Sequence, residues 1–189
     1  MGCARLWIGA ESGSQKILDA MDRRTDAADI RRKTHALQAR GIEVGMFIML
    51  GYEGEELADI EATAEHLKAA GPDRFLTTVA YPIKGTPFHA EVRDRVYSNI
   101  EDWAHRTDRD LGIAGRHSRA FYTAANRWLV NDVEHHRLVR TGSRDVVARM
   151  RTRVGARLGR REMMRTIDER ETAPAGTGWS PKARAEHGW

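Results

Sequence analysis

The segment that decides the fold is a short apolar run that ends in glycines and acids. It reads Gly45-Met46-Phe47-Ile48-Met49-Leu50-Gly51-Tyr52-Glu53-Gly54-Glu55. The run has the length of a strand, and near-continuous apolarity is typical of a parallel strand that is covered on both faces. The polar turn after Leu50 marks the end of that strand.

Two further runs of this kind flank the first one along the chain. Arg5–Ala10 precedes Glu11-Ser12-Gly13-Ser14, and Arg74–Tyr81 precedes a turn from Pro82 to Pro87. Helical periodicity fills the gaps, which have the length of strand–helix units. We therefore predict an α/β fold with parallel strands and right-handed crossovers. The predicted helices run from Ser12 or Ser14 to Met21, from Thr25 or Asp26 to Gly41, and from Leu57 to Ala70.

The pattern changes after Pro87. We predict short elements at 88–96 and 101–103, a long helix from Ser118 to Arg140 and an arginine-rich helix over 144–168. The sequence thus divides into a strand–helix region at 1–97, a helical extension at 98–142, the arginine-rich helix at 143–170 and a disordered tail at 171–189.

Composition excludes several classes of protein. The chain has 189 residues, of which 41% are hydrophobic and 31% charged, so it is globular in composition. It has no apolar run long enough to cross a bilayer and no apolar signal-peptide core. Its single cysteine, Cys3, excludes an intramolecular disulfide framework and any cysteine-only metal site within the chain. We expect a cytoplasmic protein.

The net charge of +4 is unevenly distributed. Residues 137–165 hold 10 arginines and 2 acids, whereas 1–136 carry a net charge of −3 and 166–189 a net charge of −1. The basic character therefore belongs to one segment, which could bind nucleic acid or an anionic membrane, or could be an ordinary solvated helix.

The strand ends carry a family resemblance. In parallel α/β folds these ends form the binding site. Leu6–Ser14 resembles the fourth-strand segment of radical S-adenosylmethionine enzymes, Gly45–Glu55 resembles their fifth-strand segment, and Ala80–Pro87 resembles their sixth-strand segment, which often ends in Gly-Thr-Pro. The resemblance covers residues 1–97 and is greatest to the subgroup with an N-terminal cobalamin-binding domain.

This resemblance implies a partial (β/α) barrel, with three parallel βα units of a six-unit half-open barrel, followed by a helical extension. Such enzymes bind a four-iron four-sulfur cluster and S-adenosylmethionine, which they cleave to a 5′-deoxyadenosyl radical. By position, Glu11 would hydrogen-bond the ribose or the amino acid part of S-adenosylmethionine, and Ser12 and Ser14 would meet its carboxylate. The remaining implied site residues are Gly51 and Gly54, for close backbone approach, and Ala80, Tyr81 and Pro82, for adenine.

The sequence also departs from the family. The Cys-x-x-x-Cys-x-x-Cys loop that holds the cluster is absent, and Glu53 stands where proline is common. We therefore interpret the chain as the C-terminal half of such an enzyme, inactive alone, whose partner is the missing N-terminal half or a separate subunit; cobalamin would belong to a missing domain.

Other interpretations remain open from the sequence. Glu11 could simply cap a helix, and Gly51–Glu56 could be a structural turn. The whole chain could instead be a non-catalytic binding or regulatory module that keeps the half-barrel, or a basic interaction protein that acts through residues 137–165.

Overall fold

The predicted alternation of strands and helices is present in the computed structural model, which describes residues 2–98 and 107–174. Three strands pair in parallel in the order β1-β2-β3: β1 (Arg5–Glu11), β2 (Glu43–Leu50) and β3 (Arg74–Val79). Between them lie α1 (Gln15–Ala20), α2 (Ala27–Gln38) and α3 (Leu57–Ala70). The prediction of a mixed α/β fold with a parallel sheet is confirmed.

The helix boundaries follow the sequence signals. The carboxylate of Asp26 accepts a hydrogen bond from the Asp29 N–H and so caps α2. Glu56 and Asp59 form a capping box at the start of α3. Gly71 ends α3 in a left-handed conformation, with φ of 57°, which glycine adopts without steric cost.

The central strand β2 holds the core together. Its residues Met46, Ile48 and Leu50 are buried against α1, α2 and α3 in one hydrophobic cluster. Alternate residues of a strand point to opposite faces of a sheet, so these three share the face that the helices cover.

The other face of this sheet is open. Phe47 and Leu76 are neighbours in the β2–β3 register and are 46% and 56% exposed. Trp7 stacks on Phe47, with ring centroids 4.9 Å apart, over the space that Gly45 leaves. This face is therefore apolar but largely uncovered within the described residues, which differs from the expectation of strands buried on both faces.

Two long helices complete the helix-covered side. They are α5 (Arg119–Arg140), which Ser118 caps as predicted, and α6 (Val146–Arg165). Phe121, Leu129 and Val133 of α5 join the hydrophobic cluster of the sheet. The first of two compact units therefore comprises the chain up to Ala80 together with Ser118–Asp168.

The second compact unit contains the described residues of Tyr81–His117 and those that follow from Glu169 to Pro174. Its elements are α4 (Pro87–Val92), which a 3-10 turn follows, and an antiparallel pair of strands, β4 (Val96–Ser98) and β5 (Leu111–Ile113). Glu171 accepts hydrogen bonds from Tyr97, Arg116 and the Ile113 N–H, so the first residue of the predicted tail is tied to this pair. The predicted element at 101–103 and residues 175–189 of the tail lie outside the described residues.

No helix within 2–98 and 107–174 is long and apolar enough to span a bilayer.

The packing of α6 on α5 depends on a glycine. A Cβ atom at Gly159 would lie 2.6 Å from the backbone nitrogen of Trp128, whereas one at Gly155 would meet the end of the Asn131 side chain. Backbone cannot move aside as a flexible side chain can. Small residues on α6 therefore set how closely the two helices approach each other.

We expect Gly159→Ala to lower the free energy of unfolding by roughly 1–3 kcal/mol, as is typical when a packed interface is overfilled. Gly155→Ala is the matched control in the same helix, and it should be neutral or stabilising because alanine favours a helix over glycine by roughly 0.5–1 kcal/mol. Urea denaturation of both variants measures the difference. Equal effects of the two substitutions would contradict the close approach at Gly159.

Candidate functional site

The candidate site is the edge of the sheet at which the three parallel strands end. Glu11, Leu50 and Val79 are the last residues of β1, β2 and β3. Parallel strands present their carboxyl ends at the same edge, where α/β proteins place their ligands. The sequence-predicted residues Glu11, Gly51 and Ala80 stand at or directly after these ends.

Glu11 is held in an unusual conformation. The β1–β2 register is irregular between Gly9 and Glu11, and Glu11 has a φ of 59°. Left-handed backbone is uncommon for a residue other than glycine and is found mainly at turns and functional sites. This bulge directs the Glu11 side chain back over Gly9, where a Cβ atom would lie 2.5 Å from the Glu11 Oε1.

Arg23 fixes the Glu11 carboxylate from the other side. Its Nη2 lies 3.6 Å from the Glu11 Oε1 and donates a hydrogen bond of 2.8 Å to the Gly9 carbonyl. The Glu11 side chain is 18% exposed, so it is not fully closed off from solvent. Glu11 therefore presents a positioned acceptor at the end of β1, and it does not act as the N-cap of α1, which is Ser14.

Ser12 and Ser14 tie the loop after β1 to α3. The two hydroxyls of Ser12 and Thr63 are 3.2 Å apart, the Ser14 N–H donates to Ser12 Oγ, and the Ser14 hydroxyl donates to Asp59 Oδ1 at 2.7 Å. Both serines are buried. Their hydroxyls thus hold the loop after β1 in place, and the Ser14 side chain does not cap α1.

Asp59 is the centre of this loop contact. Burial opposes its ionisation, but hydrogen bonds from Lys16, from the Ser14 hydroxyl and from the Glu56 N–H outweigh that effect and lower the pKa of Asp59. The Lys16 ammonium lies 2.7 Å from Asp59 Oδ2. One ionised carboxylate thus joins the start of α1 to the start of α3.

The turn after β2 encloses a buried acid. Gly51 has a φ of 78°, and its N–H donates to Glu55 Oε2 at 2.5 Å. The side chain of Glu55 is buried, its Oε1 has no hydrogen-bond partner, and burial raises its pKa to about 8. Glu55 is therefore mostly protonated at neutral pH.

Tyr122 of α5 packs against this turn. A Cβ atom at Gly51 would lie 2.9 Å from the Tyr122 Cζ. Gly51 is thus required both for its backbone conformation and for this contact. Gly54 has a φ of 76° and open space around it, so at this position the conformation alone favours glycine.

The last predicted segment, Ala80-Tyr81-Pro82, spans the two compact units. The Ala80 N–H donates to the Leu50 carbonyl at 2.7 Å and so extends the β2–β3 pairing by one residue. Ala80 is buried in the first unit, while Tyr81 and Pro82 begin the second unit.

The structure therefore brings the loops after β1 and β2 together through Ser14, Asp59 and Lys16. The sequence analysis missed Glu55, Asp59 and Tyr122 as members of this site. Glu55 and Asp59 could have been predicted from the sequence. An acid directly after Gly54 and a second acid within the first turn of a helix are typical of a capped turn. No local signal identified Tyr122.

The described residues contain no group of three or more His, Cys, Asp or Glu side chains that could hold a metal ion. Cys3 is exposed and forms no disulfide. The observed geometry is suited to accepting hydrogen bonds from a ligand at Glu11, with glycine-rich backbone nearby.

No protein-family model matches this chain. Over 84 residues, which are 43% of the chain, it is 33% identical to the tRNA-2-methylthio-N(6)-dimethylallyladenosine synthase of Alkalilimnicola ehrlichii. The match covers 19% of that protein's length. It supports a loose relationship of this segment to the radical S-adenosylmethionine enzymes.

The buried acid makes a pH dependence testable. Between the ordinary pKa of glutamate, 4.5, and about 8, the folded chain retains a proton on Glu55 that the unfolded chain has lost. The contribution of Glu55 to the free energy of unfolding should therefore be largest at the acidic end of this window and fall as pH rises through it. Burial of His66, which lowers its pKa to about 4, contributes the opposite slope at the acidic end, so the difference between the wild type and a Glu55 variant is the quantity to compare. Glu55→Gln, which mimics the neutral acid, should remove that fall.

Urea denaturation across this pH range measures the effect, and Glu65→Gln, at an exposed position of α3, is the matched control. If the free energies of unfolding of the wild type and of Glu55→Gln change in parallel with pH, Glu55 is ionised in the folded state. The buried, protonated acid described for this turn would then be wrong.

Proposed function

We propose that this chain supplies the S-adenosylmethionine-binding half of a radical S-adenosylmethionine barrel. Three βα units of a six-unit half-open barrel would be formed by β1 to β3 with their helices, α5 would belong to the helical extension, and α6 is the arginine-rich helix. The support is the order of the three strand-end motifs, the parallel sheet and the partial match to one curated protein.

The observation that carries this proposal is the one-sided sheet. In a barrel, helices cover the outside and the inner face meets side chains of the other strands. Here the helices cover one face, and the other exposes Phe47 and Leu76. Strands from a missing half would cover this open face and pair with β1, which is an edge strand.

The residues at the strand ends fit S-adenosylmethionine. Ribose hydroxyls and the methionyl ammonium are donors, and the positioned carboxylate of Glu11 accepts from such groups. The hydroxyls of Ser12 and Ser14 are engaged with α3, so in this proposal they support the loop that meets the ligand. Backbone at Gly51, Gly54 and Ala80-Tyr81-Pro82 would complete the contact.

An iron–sulfur cluster does not fit this chain. Its iron atoms require several thiolates, and the sequence contains one cysteine. We assign no catalytic step to the chain alone, and the ligands of a cluster would come from the partner half. Cobalamin, predicted from the likeness to one subgroup, stays a prediction about a separate domain.

We expect S-adenosylmethionine at millimolar concentration to shift the amide resonances of residues 11–14, 51–54, 80 and 81 in the ¹⁵N-labelled full chain. Glu11→Gly should weaken this binding by roughly tenfold to a hundredfold, because it removes charge-assisted hydrogen bonds. Glycine is chosen because it keeps the left-handed backbone without strain, so stability should not fall.

Glu65→Ala, far from the strand ends on the exposed side of α3, is the control for general charge effects. Shifts confined to other parts of the chain, or unchanged affinity in Glu11→Gly, would contradict the assigned site.

The open face predicts association. An exposed apolar face beside an unpaired strand edge favours contact with another chain. We expect the wild-type chain to self-associate in light scattering after size exclusion, and the double variant Phe47→Gln/Leu76→Gln to shift toward monomer.

Val139→Gln removes an equally exposed apolar side chain from α5 and serves as the control. A wild-type chain that stays monomeric and unfolds in one sharp transition would show that the half-barrel is self-sufficient, and the proposal of a missing half would fail while the ligand site could stand.

A further inference from the structure

The surface of α6 is unusual because its apolar residues face outward. Val146, Val147 and Met150 are 65%, 78% and 64% exposed, and Val154 and Leu158 are 48% and 45% exposed. We name these five residues the α6 stripe. A helix at a protein surface normally turns its apolar side toward the core and its charged side toward water.

The inward face of α6 instead combines three small residues with one methionine. Thr152, Ala156, Gly159 and Met163 are buried against α5. Val154 and Leu158 of the stripe lie two positions beyond buried residues, and positions two apart on a helix do not share a face. The stripe therefore lies apart from the residues that α6 buries against α5, and its side chains remain exposed.

Arginines surround the α6 stripe. The helix holds seven arginines and one acid, Glu162. Arg160 pairs with Glu61 and lies over the Trp128 ring, and Arg165 pairs with Glu162. The other five are exposed: Arg149, Arg151, Arg153, Arg157 and Arg161.

The stripe also borders a groove. Between α5 and α6 lies a groove of about 570 Å³, lined by Val146, Met150 and Val154 of the stripe and by Arg127 and Arg151. An apolar floor with cations at its rim offers space for the first part of a hydrocarbon chain below an anionic headgroup.

We propose that α6 docks on the surface of an anionic phospholipid bilayer. The stripe would enter the boundary between headgroups and acyl chains, and the long arginine side chains would extend from it to the lipid phosphates. The helix would lie in the plane of the interface, held through α5 to the rest of the first unit. This inference is independent of the proposed cofactor site.

Charge complementarity favours a bilayer over other partners. Each arginine would find an anionic headgroup without a specific geometry, whereas a protein partner would have to place a carboxylate opposite every one. Nucleic acid would satisfy the arginines but would leave five aliphatic side chains exposed, and α6 has no aromatic residue on which a base could stack.

The test is flotation of the full chain with vesicles. We expect binding to vesicles of phosphatidylcholine mixed with phosphatidylglycerol, and little binding to phosphatidylcholine alone or at high salt. The stripe variant Val147→Gln/Met150→Gln/Val154→Gln should lose at least tenfold in affinity. The arginine variant Arg151→Gln/Arg153→Gln/Arg157→Gln should lose roughly tenfold to a hundredfold.

The control variant Val130→Gln/Val139→Gln changes exposed apolar residues of α5 and should bind as the wild type does. All variants replace exposed residues, and circular dichroism checks that they remain helical. A chain that ignores anionic vesicles, or whose stripe variant binds them unchanged, overturns the proposal. The proposal is also overturned if the wild type binds single-stranded RNA more tightly than anionic vesicles and the stripe variant keeps that RNA affinity. That result would favour a nucleic-acid surface.

Discussion

The structure depends on the one-sided burial of β2. Met46, Ile48 and Leu50 are buried beneath the helices on one face of the sheet, and without that contact neither α2, α3 nor α5 would have a core to cover. Burial of such side chains contributes roughly 1.5–3 kcal/mol each. Since the opposite face exposes Phe47, the same strand that organises the fold also presents an uncovered apolar side chain.

The candidate site rests on this strand at its carboxyl end. Two acids there behave in opposite ways: Asp59 stays ionised because Lys16, Ser14 and the Glu56 N–H surround it, whereas burial keeps Glu55 protonated. The first joins two loops and the second closes a turn. Glu11, which a bulge and Arg23 hold in place, is a partly exposed acid at the end of β1.

The strands and most helices could be predicted because apolar periodicity and caps are local. The β4–β5 pair could not, since three-residue strands are too short to show a period. The burial of Glu55 and the contact of Tyr122 with Gly51 depend on distant parts of the chain. The orientation of α6 could not be predicted either. Periodicity located an apolar face, but the face that is buried contains small residues such as Gly159.

Tyr122 and Gly51 are far apart in sequence, but the tyrosine ring occupies the space that a side chain at position 51 would need. Any side chain at position 51 would enter the space of the tyrosine ring. Since the φ of 78° at position 51 independently favours glycine, relatives that share this turn and the tyrosine at 122 should keep glycine at 51. Because Tyr122 lies in α5, this helix helps to shape the turn after β2. A chimera that took either α5 or this turn from a distant relative would therefore have to take both segments from it.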